Sequence, residues 1–287
     1  MSKSKFKAIL KLMKLKVSVA VTFTAIAGFI IFSHNISPDI IYLIAGVLLL
    51  ASGSSALNQV QEAKYDALMP RTIMRPIPMG LLTKSQAFIL SVLFILAGSL
   101  ILYLGHGSTP MLLGLFNVLW YNGIYTPLKR ITAFAVVPGS LVGAVPAYIG
   151  YTAAGGSILD TTILFVGLFL FIWQVPHFWL LMLKYGEEFK TAGFKTVTGT
   201  FHAMTLPSII FVWVLCTSFS SIIIPLFLDT VSLWFFILVF ALNLAFISLF
   251  IQMAFKPEQP ISFRRSFIGI NIYMMVFMLL LITFHLI

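Results

Sequence analysis

Three oxygen-bearing side chains recur at intervals of four residues in the stretch NQVQEAKYDALMPRTIMRP, residues 58–76. They are Asn58, Glu62 and Asp66, and on a helix this spacing places them within about 80° of one another. Carboxylate and amide oxygens on one helix face are ligands that Mg²⁺ accepts, usually with water and phosphate oxygens completing its shell. The spacing therefore predicts a site for a metal-bound phosphate.

Two arginines, Arg71 and Arg75, follow this motif closely. Because Pro70, Pro76 and Pro78 interrupt a helix, we expect both arginines on a turn or extended segment just beyond its end. A planar guanidinium suits bidentate contact with phosphate. The alternative is a solvated loop whose acids and bases only screen each other. The scarcity of acids in the neighbouring apolar segments favours the site, since a carboxylate near membrane depth is costly and usually functional.

A second acidic pair, Glu187 and Glu188, lies in the segment 183–204. The chain has only eight Asp and Glu residues, and four of them lie in the segments 57–84 and 183–204. We expect the two acidic groups to face each other across a helical bundle and to clamp a Mg²⁺-bound diphosphate. The sequence has no glycine-rich phosphate loop and no nucleophilic triad pattern to favour ordinary phosphotransfer or acyl chemistry.

The elements that must hold these residues are apolar. Of 287 residues, 60% are hydrophobic and 9% are charged, against about a quarter charged in a soluble domain. A membrane-spanning helix needs about 20 mainly apolar residues. Nine windows meet this condition, at residues 17–34, 38–56, 86–104, 109–126, 134–152, 161–182, 205–226, 232–254 and 267–286. The sequence therefore predicts an all-α integral membrane protein with nine transmembrane helices.

The basic residues predict the topology. All 18 Lys and Arg residues lie in alternate segments, at 3–16, 57–84, 127–133, 183–204 and 255–266. By the positive-inside rule, the N-terminus and these connections are cytoplasmic. The net charge of +10 then reflects topology and attraction to anionic lipid, and not nucleic acid. We expect residues 1–16 to form a basic amphipathic helix at the interface of the bilayer, and residues 1–287 to form one membrane domain.

A polyanionic head beside a cavity rich in Phe, Met and Leu suits a prenyl diphosphate, because its tail is apolar. Departure of Mg²⁺-bound diphosphate would leave an allylic cation, with the metal as Lewis acid. Basic side chains would offset the charge that develops on the leaving group.

These motifs resemble those of the UbiA superfamily of intramembrane aromatic prenyltransferases. The family's Asn-x3-Asp-x3-Asp motif is similar to Asn58, Glu62 and Asp66. Further elements match in the same order: Met69, Arg71 and Thr72, then RPIPMG at 75–80, YTPLKRIT at 125–132, WQVPHFW at 173–179 and EEFKTAG at 187–193. The last three resemble the heme-farnesylating branch more than the quinone branches.

The resemblance implies a bundle around a central cavity, Mg²⁺ dependence, farnesyl diphosphate as donor and the 2-vinyl group of heme B as acceptor. It implies the cell (inner) membrane as location, and heme A synthase or terminal-oxidase assembly proteins as partners. By resemblance, the metal ligands are Asn58, Glu62, Asp66, Glu187 and Glu188; the diphosphate contacts are Arg71, Arg75, Lys129, Arg130 and Lys190; and the acceptor side has His177, Tyr125 and His106.

The sequence departs from the family pattern at several positions. Glu62, Glu187 and Glu188 stand where the family has Asp, which keeps the charge and lengthens each side chain, and Phe189 replaces a Tyr. Two alternatives stay open: a related transferase acting on a quinone or chlorin precursor, and a membrane transporter or pigment-binding scaffold. A transporter more often has charges or broken helices at mid-membrane, whereas these acids lie at the ends of spans.

Overall fold

The computed structural model describes residues 3–202, 205–228, 231–258 and 262–287, and all regular elements within these ranges are helical. The α-helices in chain order are α1 Lys3–Leu12, α2 Leu15–Ser33, α3 Ile40–Asp66, α4 Lys84–His106, α5 Ser108–Leu119, α6 Thr126–Ile131, α7 Val136–Gly139, α8 Leu141–Ala153, α9 Thr161–Thr191, α10 Thr205–Ile223, α11 Leu233–Phe250, α12 Gln252–Phe255 and α13 Phe263–Leu286.

In the described part of the chain, eight of the nine predicted spans coincide with helices long and apolar enough to cross a membrane. The ninth, at 109–126, coincides with α5, which continues through a π-helix at Trp120–Tyr125 into α6. Pro127 explains this break, because it has no N–H to donate to the carbonyl of Gly123. Since α5 itself has only 12 residues, the count of nine stays a prediction.

Two helices extend well past the predicted spans. Helix α3 has 27 residues and ends at Asp66, and α9 has 31 residues and ends at Thr191. The segments 57–84 and 183–204 are therefore not loops throughout, because each begins as a continuation of its helix. Helix α3 ends before Pro70, and Arg71 and Arg75 lie on the turns that follow, as predicted.

The N-terminal helix α1 is docked on the bundle. Ala8 and Leu12 are buried against Ala56 of α3 and Ala87 of α4, whereas Lys7 on the same helix is exposed. One apolar face and one basic face agree with the amphipathic pattern expected for the N-terminal segment. Its position at the surface of a bilayer stays a prediction.

Helices α2 and α8 touch backbone to backbone through two glycines. A Cβ atom on Gly150 would lie 1.7 Å from the carbonyl oxygen of Ala25, and one on Gly28 would lie 2.0 Å from that of Ala147. Small residues allow such close packing of membrane helices. Both helices contribute side chains to the cavity described below, so this contact determines the shape of its wall.

We expect Gly150→Ala to lower the melting temperature of the detergent-solubilised protein by about 5 °C or more. The added methyl group would overlap a backbone oxygen that cannot move alone, and overpacking of this kind costs about 1–3 kcal/mol. Gly123→Ala is the matched control, because a Cβ there has no atom within 4 Å. Equal melting temperatures for the two variants would contradict the tight contact.

Candidate functional site

A cavity of about 390 Å³ lies among α2, α3, α5, α8 and α9. Along α3 its lining changes from apolar at Val47 and Leu50 to polar and charged at Asn58, Glu62 and Asp66. The cavity therefore has one charged end, near the C-terminal end of α3, and a mainly apolar interior.

The prediction that three oxygen-bearing side chains share one face of a helix is confirmed. Asn58, Glu62 and Asp66 all lie in the last three turns of this helix and all line the cavity. These three residues are only 1%, 5% and 0% exposed, respectively. Buried groups of this kind need partners.

Each carboxylate pairs with a cation from another segment. Arg75 Nη1, on the turns after α3, lies 2.7 Å from both carboxylate oxygens of Asp66. Lys129 of α6 forms an ion pair with Glu62. Both cations line the cavity, so they are available to an anionic ligand as well as to the carboxylates.

Lys14 is a further cation of this site, and its position in the sequence predicted only the topology of the N-terminal segment. It lies between α1 and α2 with a left-handed backbone (φ 46°), and its Nζ donates to Asn58 Oδ1 at 3.2 Å. Asn58 Nδ2 in turn donates to Thr126 Oγ1 at 3.1 Å. Burial, and then the charges of Arg75 and Lys129, lower the pKa of Lys14 to about 7. No local sequence signal separates Lys14 from the other lysines of the segment 3–16.

The second acidic pair lies beside the cavity, not in its lining. Glu187 is exposed and Glu188 is half-buried, with Glu188 Oε2 buried and unpaired. Arg71 lines the cavity and packs on α9, with its guanidinium carbon 5.1 Å from the ring centre of Tyr185 and 5.3 Å from that of Phe189. Burial, and then the charge of Arg75, lower the pKa of Arg71, while Tyr185 and Glu188 oppose this shift.

The five residues predicted as metal ligands form two groups: Asn58, Glu62 and Asp66 line the cavity, and Glu187 and Glu188 lie beside it. Over the described ranges, no group of three or more His, Cys, Asp or Glu side chains is close enough to hold a metal ion. The set on α3 does fit Mg²⁺, which takes one or two carboxylates and completes its shell with water and phosphate oxygens. The roles of Glu187 and Glu188 as ligands stay predictions.

Two of the predicted diphosphate contacts lie outside the cavity lining. Arg130 Nη2 donates to the carbonyl of Gln61 at 3.2 Å, and its guanidinium carbon lies 4.3 Å from the ring centre of Tyr65. Arg130 therefore supports the outside of α3. Lys190 is exposed on the last turn of α9.

Of the three residues predicted on the acceptor side, Tyr125 lines the cavity. The ring of His177 packs instead against Trp173 of α9 and Phe267 of α13, with centroids 4.9 and 5.0 Å away. His106 is at the end of α4, with Nδ1 3.0 Å from the carbonyl of Ala153. Neither histidine is in the lining of the cavity, and their contact with an acceptor stays a prediction.

The charged end of the cavity is suited to a polyanion. Its charged lining residues are Lys14, Glu62, Asp66, Arg71, Arg75 and Lys129. Four cations against two carboxylates leave a formal excess of two positive charges. This excess of positive charge favours a diphosphate, and an apolar tail attached to it would lie in the interior.

Known proteins of similar sequence were found for most of the chain. A family model described as the UbiA prenyltransferase family matches residues 20–281. The protoheme IX farnesyltransferase of Geobacter sulfurreducens is 42% identical over 61% of this chain and 64% of that protein. Its counterpart in Nitratidesulfovibrio vulgaris is 42% identical over 50% of each chain, and that of Cytophaga hutchinsonii is 35% identical over 74% of this chain and 75% of that protein. The chain thus spans about half to two-thirds of the length of the first two relatives.

Solved structures show the same fold. A digeranylgeranylglyceryl phosphate synthase superposes with a TM-score of 0.79 at 16% identity, covering 98% of this chain and 99% of that chain. A UbiA homolog from Archaeoglobus fulgidus bound to GPP and Mg²⁺ has a TM-score of 0.70 at 14% identity, covering 97% and 99%. At such low sequence identity, the similarity shows a shared fold and no more.

Proposed function

Because the chain belongs to the UbiA prenyltransferase family, we propose that it transfers a farnesyl group from farnesyl diphosphate to the vinyl group of heme B, giving heme O in a Mg²⁺-dependent reaction. The observation that carries the proposal is the cavity, which combines a cationic end with an apolar interior. The relatives described as protoheme IX farnesyltransferases support the choice of heme B as acceptor.

The chain's own cations bind and orient the diphosphate. Lys14, Arg71, Arg75 and Lys129 surround one end of the cavity and donate to phosphate oxygens. They also offset the negative charge that develops on the diphosphate as its bond to the allylic carbon breaks. Mg²⁺, held by Asn58, Glu62 and Asp66, would add Lewis-acid polarisation of the same leaving group.

Aromatic rings next to the charged end stabilise the allylic cation. Tyr125 and Tyr121 line the cavity with ring centroids 5.6 Å apart, and Phe178 lies 6.1 Å from Tyr125. Lys129 Nζ lies 5.1 Å from the ring centre of Tyr125, so this ring is adjacent to the diphosphate. The faces of aromatic rings attract cations, and the apolar lining keeps water away until the vinyl carbon has reacted. Water then adds to the resulting cation at the vinyl group and loses a proton.

We further propose that the protein lies in the cell (inner) membrane, with its N-terminus and basic connections in the cytoplasm. The positions of the Lys and Arg residues support this orientation. The charged end of the cavity is then on the cytoplasmic side, because it is formed by residues of the basic segments 3–16, 57–84 and 127–133. Heme A synthase or oxidase assembly proteins would receive the product.

The test is mass analysis of hemes extracted from membranes of cells that lack their own heme farnesylation and express this chain. We expect a new heme that carries a farnesyl group plus water, and its absence with Glu62→Gln. If folded wild-type protein yields only heme B, the heme assignment is wrong. Labelled prenyl diphosphates with quinone or chlorin precursors would then be assayed.

A further inference from the structure

Four residues line the apolar end of the cavity, and we call them the floor: Val47 and Leu50 of α3, Gly114 of α5 and Ile149 of α8. Val47, Leu50 and Ile149 are at most 4% exposed. They belong to one buried apolar cluster with Leu102 of α4, which is fully buried. A tail that reaches this floor therefore meets close-packed side chains.

The distance from the charged end to the floor follows from the helices that line the cavity. At 1.5 Å per residue, Asn58 lies about 12 Å from Leu50 and about 17 Å from Val47 along α3. On α9 the lining runs from Gln174 to Phe189, which is about 22 Å. On α3 the lining runs from Val47 to Asp66, which is about 28 Å and includes the proposed diphosphate site at Asn58, Glu62 and Asp66.

The distance from Asn58 to Leu50 matches one length of prenyl tail. At about 1.15 Å per bond of an extended chain, the main chain of a farnesyl group spans about 13 Å and that of a geranylgeranyl group about 17 Å. A geranyl group, at about 8 Å, would leave the floor uncovered. A tail attached to a diphosphate beside Asn58 reaches the side chain of Leu50 when it is farnesyl, and overlaps the floor when it is one unit longer.

We propose that the floor selects the length of the donor, with Leu50 and Gly114 as the specificity-determining residues. The inference rests on the proposed function, since it concerns the same donor site. A Cβ atom on Gly114 would lie 2.6 Å from Leu50 Cδ1 and 3.4 Å from Leu102 Cδ1. Because Leu102 is fully buried behind it, the Leu50 side chain must yield toward the tail. A methyl group at position 114 therefore shortens the space for the tail.

The experiment measures competition of geranyl, farnesyl and geranylgeranyl diphosphates against labelled farnesyl diphosphate, with Mg²⁺ and detergent-purified protein. Wild type should prefer the farnesyl compound. Leu50→Ala should shift the preference toward geranylgeranyl by about tenfold or more, and Gly114→Ala toward geranyl by a similar factor, as for other small changes in apolar pockets. In the double variant, Gly114→Ala should no longer shift the preference toward geranyl diphosphate, because the Leu50 Cδ1 atom that its methyl group displaces is absent.

Leu104→Ala is the control, since Leu104 is 70% exposed on the outer face of α4. It should keep the wild-type preference. Folded floor variants with the wild-type preference would overturn the inference and leave the proposed function standing. A wild type that prefers geranylgeranyl diphosphate would overturn the inference and also the proposed donor. A wild type that binds none of the three compounds would overturn both.

Discussion

Asp66→Asn should lower farnesyl transfer by about 1,000-fold while the protein stays folded. The substitution keeps the shape of the side chain but removes a negative charge that is fully buried and contacts Arg75 through both oxygens. A metal ligand is lost, and Arg75 is no longer anchored for the leaving diphosphate. Losses of about 100- to 1,000-fold are usual when one preorganised electrostatic contact is removed, and here two are affected. The measurement is turnover of labelled farnesyl diphosphate by purified protein.

The matched control is Asp39→Asn, in the connection between α2 and α3. The Asp39 side chain is 47% exposed and lies 3.9 Å from His106, at the opposite end of the bundle from Asp66. It should keep wild-type turnover. Near-normal turnover by Asp66→Asn would remove the α3 face from the proposed mechanism.

Lys129→Gln should reduce both stability and turnover, and the two effects can be separated. Glu62 and Lys129 are only 7% and 15% exposed at their side chains. Removing one partner of a buried ion pair leaves an uncompensated charge and costs about 3–5 kcal/mol. Turnover should fall by about 100-fold, because one cation that stabilises the leaving group is gone. Thermal melting and the transfer assay measure the two effects.

The double variant Lys129→Gln/Glu62→Gln distinguishes these causes. It should recover most of the lost melting temperature, since neither charge remains, but it should be at least as inactive as the single variant. Lys256→Gln, at an exposed position of another basic connection, should change neither property. If the double variant melts below Lys129→Gln, the ion pair is not the source of the instability.

Local sequence was enough to predict most of the helices and one face of the site. Hydropathy located eight spans. A long apolar segment in a membrane has no water to bond its backbone groups, so it forms a helix that satisfies them internally. The spacing of Asn58, Glu62 and Asp66 placed them on one face because it matches the helical period. Pro70 marked the end of α3 because a proline removes a backbone donor. Each of these inferences depends only on residues close in the chain.

Tertiary structure decided which partners these groups have. Lys14 contacts Asn58, 44 residues away, whereas Arg130, one residue after Lys129, points to the outside of α3. The sequence alone does not distinguish a basic residue that lines the cavity from its neighbour that does not. Phe178 lines the cavity and His177 packs toward α13, since successive residues on a helix point about 100° apart. Which direction faces the cavity depends on how the helices pack, and that is a property of contacts between distant segments.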